Sequence, residues 1–375
     1  MEKNPDVLII GGGLAGLASA IHLSRAGLKV TLLEKNNYPK HKVCGEYISN
    51  EILPYLNWLG ANVSVLDPSK ITNFEFTAQN GKSAETKLPL GGFGISRYAL
   101  DHFLFENAIK NGCIIINENV TEVSFENDVF TVETSEQRFL AKIVLGAYGK
   151  RSNIDQQLAR EFMNKKSPWL AVKGHYYGDF NSNLVAIHNF DGGYCGVSTV
   201  ENNIVNICYL ADYETFKNYK NIEDYQKEVL YKNKNLKTVF ENSTPLFDKP
   251  LTISQISFDK KLPVENHILM IGDTAGLIHP MCGNGMAMAI HSAKIASELI
   301  TDFYNGNIVS RDALEKKYAI EWKKQFSKRL FFGRILAKAL TYKKFTSFLT
   351  TIAASFPALL STIIKQTHGN PVTIN

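Results

Sequence analysis

The chain has 375 residues, 45% hydrophobic and 21% charged, enough to bury a sizeable core and too apolar for a disordered polymer. Its net charge of +5 comes from 41 basic and 36 acidic residues without the clustering that a nucleic-acid backbone demands, so no nucleic acid is expected as a partner. Five cysteines (Cys44, Cys113, Cys195, Cys208 and Cys282), with no C-x-x-C pair and no H-E-x-x-H, exclude a disulfide framework and a patterned metal site. A reducing, cytoplasmic setting is expected, since the N-terminus runs into a strand without a charged and then apolar leader.

Val7–Ile10 is a continuous apolar run, as a parallel strand covered on both faces should be. Leu14, Leu17, Ala18 and Ile21 then follow helical spacing, Gly27 stops the helix, and Val30–Leu33 gives a second strand. Between strand and helix, Gly11, Gly13 and Gly16 spell G-x-G-x-x-G. The first glycine permits the tight turn, the second lets N–H groups approach a pyrophosphate, and the third lets helix and strand pack closely. Glu34 ends the second strand 18 residues beyond Gly16, where a carboxylate can accept hydrogen bonds from a ribose diol. The unit therefore reads as a dinucleotide site, and the triplet alone leaves NAD and FAD open.

Residues 42–49, KVCGEYIS, follow in a polar stretch. Cys44 and Glu46 could be a small buried thiol and a solvated carboxylate, or a pair aimed at something reactive. FEFTAQNGKSAETKL predicts a hairpin with a type I′ turn at Asn80-Gly81. Gly81-Lys82-Ser83 mimics the end of a phosphate loop, but Phe76 stands where that motif needs glycine. GISRYALDHFLFENAIKNGC is a turn and a helix carrying Arg97, and residues 184–212 give three further strands with turns at Gly192-Gly193 and Asn202-Asn203. These segments predict an antiparallel sheet, and Tyr176, Tyr177, Phe190 and Tyr194 could line an apolar pocket or simply fill its core.

In ILMIGDTAGLIHPMCGNGMAMAI, residues 268–290, a strand ends at Gly272-Asp273 and a glycine-rich loop feeds a helix from about Met286. An acid there can bond ribityl hydroxyls, and the helix start can aim its positive end at the pyrimidine edge of an isoalloxazine; alternatively Asp273 only caps a helix. The C-terminal residues 310–342 form a basic amphipathic helical stretch. FTSFLTTIAASFPALLSTII, residues 345–364, carries no charge, but its seven Ser or Thr and interior Pro357 favour two short helices over a membrane span. An apolar lip resting on a membrane surface, rimmed by Arg334, Lys338, Lys343, Lys344 and Lys365, is the intermediate option.

GGGLAG with Glu34, and IGDTAGLIHPMCGNG, resemble the two flavin motifs of the hydroxybenzoate-hydroxylase-like FAD oxidoreductases, and KVCGE resembles the geranylgeranyl-reductase branch of that superfamily. The likeness implies an α/β fold: a Rossmann-like FAD-binding domain (1–67, 96–169 and 263–305) interrupted by an antiparallel β-sheet substrate domain (68–95 and 170–262), with a helical C-terminal cap (306–375). It implies cofactor contacts at Gly11, Gly13, Leu14, Ala15, Gly16, Glu34, Lys35, Arg97, Val120, Ala147, Asp273, Gly283, Asn284, Gly285 and Met286. It also carries Cys44 and Glu46 to the flavin, the thiol as a proton donor or tuner of the ring, Glu46 as a general acid or base should burial raise its pKa. Tyr194 and Tyr176 are the expected substrate contacts.

The chain departs from the family in two places. Tyr148 replaces the acid of a G-A-D-G segment that helps position a transient nicotinamide, and GGYCGVST lacks the Trp and Pro of the branch's lipid-facing pattern. The expected activity is that of an FAD enzyme, reduced by NADPH or NADH, that reduces a double bond in a small apolar substrate (lipid, quinone or polyketide-like) or hydroxylates it. A non-catalytic prenyl or lipid carrier of the same fold is the alternative. Peripheral contact with the inner face of the membrane would run through the C-terminal segment.

Overall fold

The computed structural model describes residues 4–340, 352 and 357–374. Its first layer is a six-stranded sheet in the order Val264–Glu265, Ile268–Met270, Ile143–Gly146, Val7–Ile10, Val30–Leu33, Ile114–Ile116. All pairings are parallel except that between the first two strands. Val7, Leu8, Ile9 and Ile10 are all buried, which a parallel strand requires because helices cover both faces. The helices Leu14–Arg25, Arg97–Lys110 and Gly285–Tyr304 pack on this sheet and share its core.

The register of this sheet positions everything that follows. Ile10 lies level with Leu33 on one side and Gly146 on the other, and Gly146 lies level with Met270. Gly11, Glu34, Ala147 and the turn at Asp273 therefore leave one carboxyl edge together, the edge where open α/β sheets bind ligands.

The second layer is a nine-stranded sheet running Ser243–Pro245, Trp169–Gly178, Val205–Asp212, Gly193–Thr199, Leu184–Phe190, Ser69–Thr77, Ser83–Gly94, Tyr47–Ser49, with Leu251–Ser254 also on Trp169–Gly178. It is antiparallel apart from the parallel pairing of Leu184–Phe190 with Ser69–Thr77. Alternation divides its faces. Leu170, Val172, Cys195, Val197, Ile207 and Tyr209 point outward into a second core with Tyr225, Leu230, Leu236 and Phe240. Ala171, Tyr194 and Leu210 point inward, toward Leu277 of the loop that follows Asp273.

The hairpin at Asn80-Gly81 forms, but its turn is not type I′. Only Gly81 has positive φ (+83°), Gly81 N–H donates to the Ala78 carbonyl at 2.9 Å, and Ala78 N–H to Lys82 at 2.8 Å. That is a three-residue loop, a type I turn ending in a left-handed glycine; the strand pair that closes it sets the length, and the Asn-Gly dipeptide does not.

The helix Arg311–Leu340 buries Leu314, Tyr318, Trp322, Phe326 and Leu330, one residue per turn along a single stripe. Each contributes roughly 1.5–3 kcal/mol of burial free energy. A helix starts at Pro357, where a missing N–H costs nothing, and runs to Thr367. No described helix is long and apolar enough to cross a membrane, and most of the expected lip at 345–364 lies outside the described residues.

Candidate active site

At the glycine loop, backbone proximity dictates residue type. Gly11 has φ +106°, and a Cβ there would sit 2.4 Å from the Ala147 carbonyl oxygen; one on Gly16 would sit 2.0 Å from that of Gly11. Gly13 instead faces space, its nearest neighbour being Arg97 Nη2 at 3.8 Å from a Cβ position. The helix Leu14–Arg25 has neither a side-chain cap nor an acid in its first turn, so no side chain occupies its positive end. Glu34 accepts from Gly12 N–H (2.8 Å) and Asn36 N–H (2.9 Å), which fixes its carboxylate beside the loop. Lys35 is exposed. Val120 begins the strand Val120–Glu126, its carbonyl accepting from Asn153 at 3.2 Å.

The second flavin-motif segment lies against the first. Gly272 has φ +61°, and a Cβ there would be 3.1 Å from the methyl of Ala15. Asp273 is half-buried, and its carboxylate makes no hydrogen bond among the described residues. Gly283 adopts φ +62° just ahead of the helix Gly285–Tyr304, which again has no side-chain cap and no acid in its first turn. Asn284 departs from the expected role: its buried side chain turns away, donating to Glu51 (3.2 Å) and accepting from Arg329 (3.2 Å). Arg329 also pairs with Glu51 at 3.0 Å, and Gly369 N–H donates to the same carboxylate at 2.5 Å. The C-terminal helices thus brace the glycine-rich loop from behind.

Two uncapped helix starts, the Asp273 carboxylate, which makes no hydrogen bond among the described residues, and the open side of Gly13 form one cradle. These features fit a dinucleotide carrying a flavin, for which Gly13 and Leu14 would face the pyrophosphate, Glu34 the ribose, Asp273 the ribityl chain, and Gly285 and Met286 the ring edge.

The question posed by KVCGE has a split answer. Cys44 is half-buried with its S–H directed at Met286 Sδ, 3.5 Å away, beside the second helix start. Glu46 is fully buried, with φ +53°, and both carboxylate oxygens are taken. Oε1 accepts from Lys173 Nζ and from Arg97 N–H (2.7 Å), and Oε2 pairs with His175 Nε2 at 2.6 Å. Burial pushes its pKa up, but the buried Lys173 ammonium and the His175 hydrogen bond outweigh burial and hold it below the ordinary carboxylate value. The expectation that burial would raise Glu46 is therefore corrected: it is an ionised anchor. The inner face of the second sheet holds the rest of the segment, with Asn206 (2.9 Å) and Ser198 (3.3 Å) donating to the Gly45 carbonyl and Lys173 to that of Lys42 (3.2 Å).

Lys173, His175, Ser198 and Asn206 escaped the sequence reading. Their signal was alternation: all four sit on the face opposite Leu170, Val172, Val197 and Ile207. The same parity moves Tyr176. It faces outward, edge-on to Phe240 at 5.9 Å, and does not line the inner face. Tyr194 does face inward, among Phe76, Ile187, Leu210 and Leu277. Arg97 reaches the glycine loop with its guanidinium locked bidentately on Asp101 at 2.6 and 2.8 Å. Tyr148, in place of the family's acid, directs its hydroxyl at Met270 Sδ, 3.4 Å away.

The family model described as "FAD binding domain" matches residues 4–324. A digeranylgeranylglycerophospholipid reductase of Methanococcus aeolicus is 24% identical over 361 residues, covering 92% of this chain and 87% of that one. A geranylgeranyl bacteriochlorophyll reductase-like structure from Thermoplasma acidophilum superposes with TM-score 0.76 at 18% identity, covering 97% and 96% of the two chains. The flavin-dependent brominase Bmp2 does so with TM-score 0.78 at 17% identity, covering 97% and 93%. The chain belongs to the FAD-binding domain family and is an FAD-dependent oxidoreductase.

Proposed function

We propose that the protein takes reducing equivalents from NADPH or NADH and reduces a double bond in a small apolar substrate. The observation that carries this reading is the apolar cluster of Phe76, Ala171, Ile187, Tyr194, Leu210 and Leu277, where the inner face of the second sheet meets the loop between Asp273 and Gly285. Such a wall favours an apolar ligand, which gains about 25 cal/mol per Å² of surface removed from water.

Bound FAD would supply the hydride chemistry. The chain's own residues do the rest. Cys44 offers a proton at Sγ beside the ring end, Glu46 with Lys173 and His175 fixes the backbone that presents it, and the sheet excludes water. Because Glu46 is held ionised and carries no proton to give, the thiol is the better proton source. The reductase names among the relatives support the reading. Hydroxylation with molecular oxygen is a second reading, favoured by the likeness to a brominase, another flavin enzyme.

The test follows NADPH and NADH oxidation by the yellow holoenzyme, with and without oxygen, across quinone, polyketide-like and prenyl substrates. The proposal expects equal product under anaerobic conditions. Product formed only with oxygen would replace reduction by hydroxylation.

A further inference from the structure

The loop between Asp273 and the helix Gly285–Tyr304, the ring-end loop, carries a buried histidine. His279 lies between Asp273 and Gly285, is 5% exposed, and neither ring nitrogen has a hydrogen-bond partner. Rings surround it: Phe258 with centroids 4.7 Å away, Tyr194 at 5.7 Å and Trp169 at 6.2 Å. Tyr194 is the inward-facing tyrosine of the sheet, and its hydroxyl likewise makes no hydrogen bond among the described residues. The two buried ring nitrogens of His279 thus stand unpaired among aromatic rings, with the Tyr194 ring next to them. Buried polar atoms are nearly always satisfied, and an orphan is a standing cost that the fold tolerates for a reason. Two unpaired nitrogens on one buried ring match a missing ligand group.

We propose that His279, with Tyr194 beside it, is a specificity-determining residue that hydrogen-bonds a hydroxyl or carbonyl group on an aromatic or quinonoid ring substrate. This rests on the reading that the substrate lies between the sheet and the ring-end loop. It narrows the class: a plain hydrocarbon chain would leave both groups unpaired, whereas a phenol or quinone edge satisfies them while its ring fits among Phe258, Trp169 and Tyr194. Burial holds the imidazole pKa down at about 4, so at neutral pH the ring is uncharged, one nitrogen donating and the other accepting. It can therefore meet either a hydroxyl or a carbonyl.

The probes are 2-naphthol and 2-methylnaphthalene, of equal size and differing in one hydroxyl, titrated into oxidised holoenzyme while the flavin spectrum is followed. Wild type is expected to bind 2-naphthol more tightly. His279→Leu should weaken 2-naphthol about tenfold and leave 2-methylnaphthalene within about twofold. His279→Gln, which keeps a donor and an acceptor, should retain most of the affinity, and it also serves should the leucine variant fail to fold. Equal affinity of wild type for both probes, or a leucine variant that discriminates as wild type does, overturns the role of His279 while the apolar substrate site stands. If neither probe perturbs the wild-type flavin, the substrate site itself is misplaced and both readings fall.

Discussion

The two sheets bury different things, and that difference divides the molecule's work. The parallel sheet buries apolar side chains throughout Val7–Ile10 and Ile143–Leu145 and offers a ligand the loops that leave one carboxyl edge. The second sheet gives one face to a core and the other to a polar grip: Lys173, His175, Ser198 and Asn206 hold residues 42–46 against the cradle. In the first, each contributing group sits in a short contiguous segment at the end of its strand. In the second the groups are scattered over alternate positions of three strands, and the partner of each is over a hundred residues away.

The sharpest way to break the first half of this contrast is Gly16→Val. A Cβ at Gly16 would stand 2.0 Å from the Gly11 carbonyl oxygen, and backbone cannot yield as a flexible side chain does. The expected loss is about 3 kcal/mol or more, read as lost soluble, flavin-containing protein and a lowered melting temperature. A variant that melts like wild type would remove the close helix–strand packing from the account.

The second half is tested by Glu46→Gln. It leaves Lys173 buried without a counter-charge, which costs about 3 kcal/mol in urea unfolding, and Lys173→Met in the same chain should recover part of it. The pH dependence has a definite sign. Because the folded-state pKa of Glu46 is depressed, its contribution is complete above the unfolded value of about 4.3 and is lost as pH falls below that. Wild type should therefore lose stability on acidification in that window more steeply than Glu46→Gln. Parallel acid limbs would mean that Glu46 is not the ionised anchor described here.

This contrast also explains what the sequence could reveal. The strand–turn–helix at residues 7–25, Glu34 and the Asp273 loop were legible because short-range geometry demands particular residues: glycine where backbone meets backbone, an acid at a strand end. The Asn80-Gly81 hairpin was legible as a hairpin but not as a turn type, since the closing pair Ala78 and Lys82 sets the loop length. Tyr176 was misjudged because aromatic character says nothing about which face a strand residue takes; its parity with Leu170 and Val172 does. The Glu46 cage was illegible because Lys173 and His175 acquire meaning only once residue 46 arrives between them. Asn284 read as a cofactor contact, yet Arg329 and Glu51 compete for its side chain from distant segments.

The central claim is that the loops at Gly13 and Asp273, far apart in sequence, grip one molecule. Calorimetric titration of the apoprotein with FAD and with ADP, for wild type and Asp273→Ala, tests it most directly. The account predicts that wild type binds FAD far more tightly than ADP, and that Asp273→Ala weakens FAD about tenfold while leaving ADP unchanged. Equal affinity for FAD and ADP, or an Asp273 variant that holds FAD as wild type does, would contradict it.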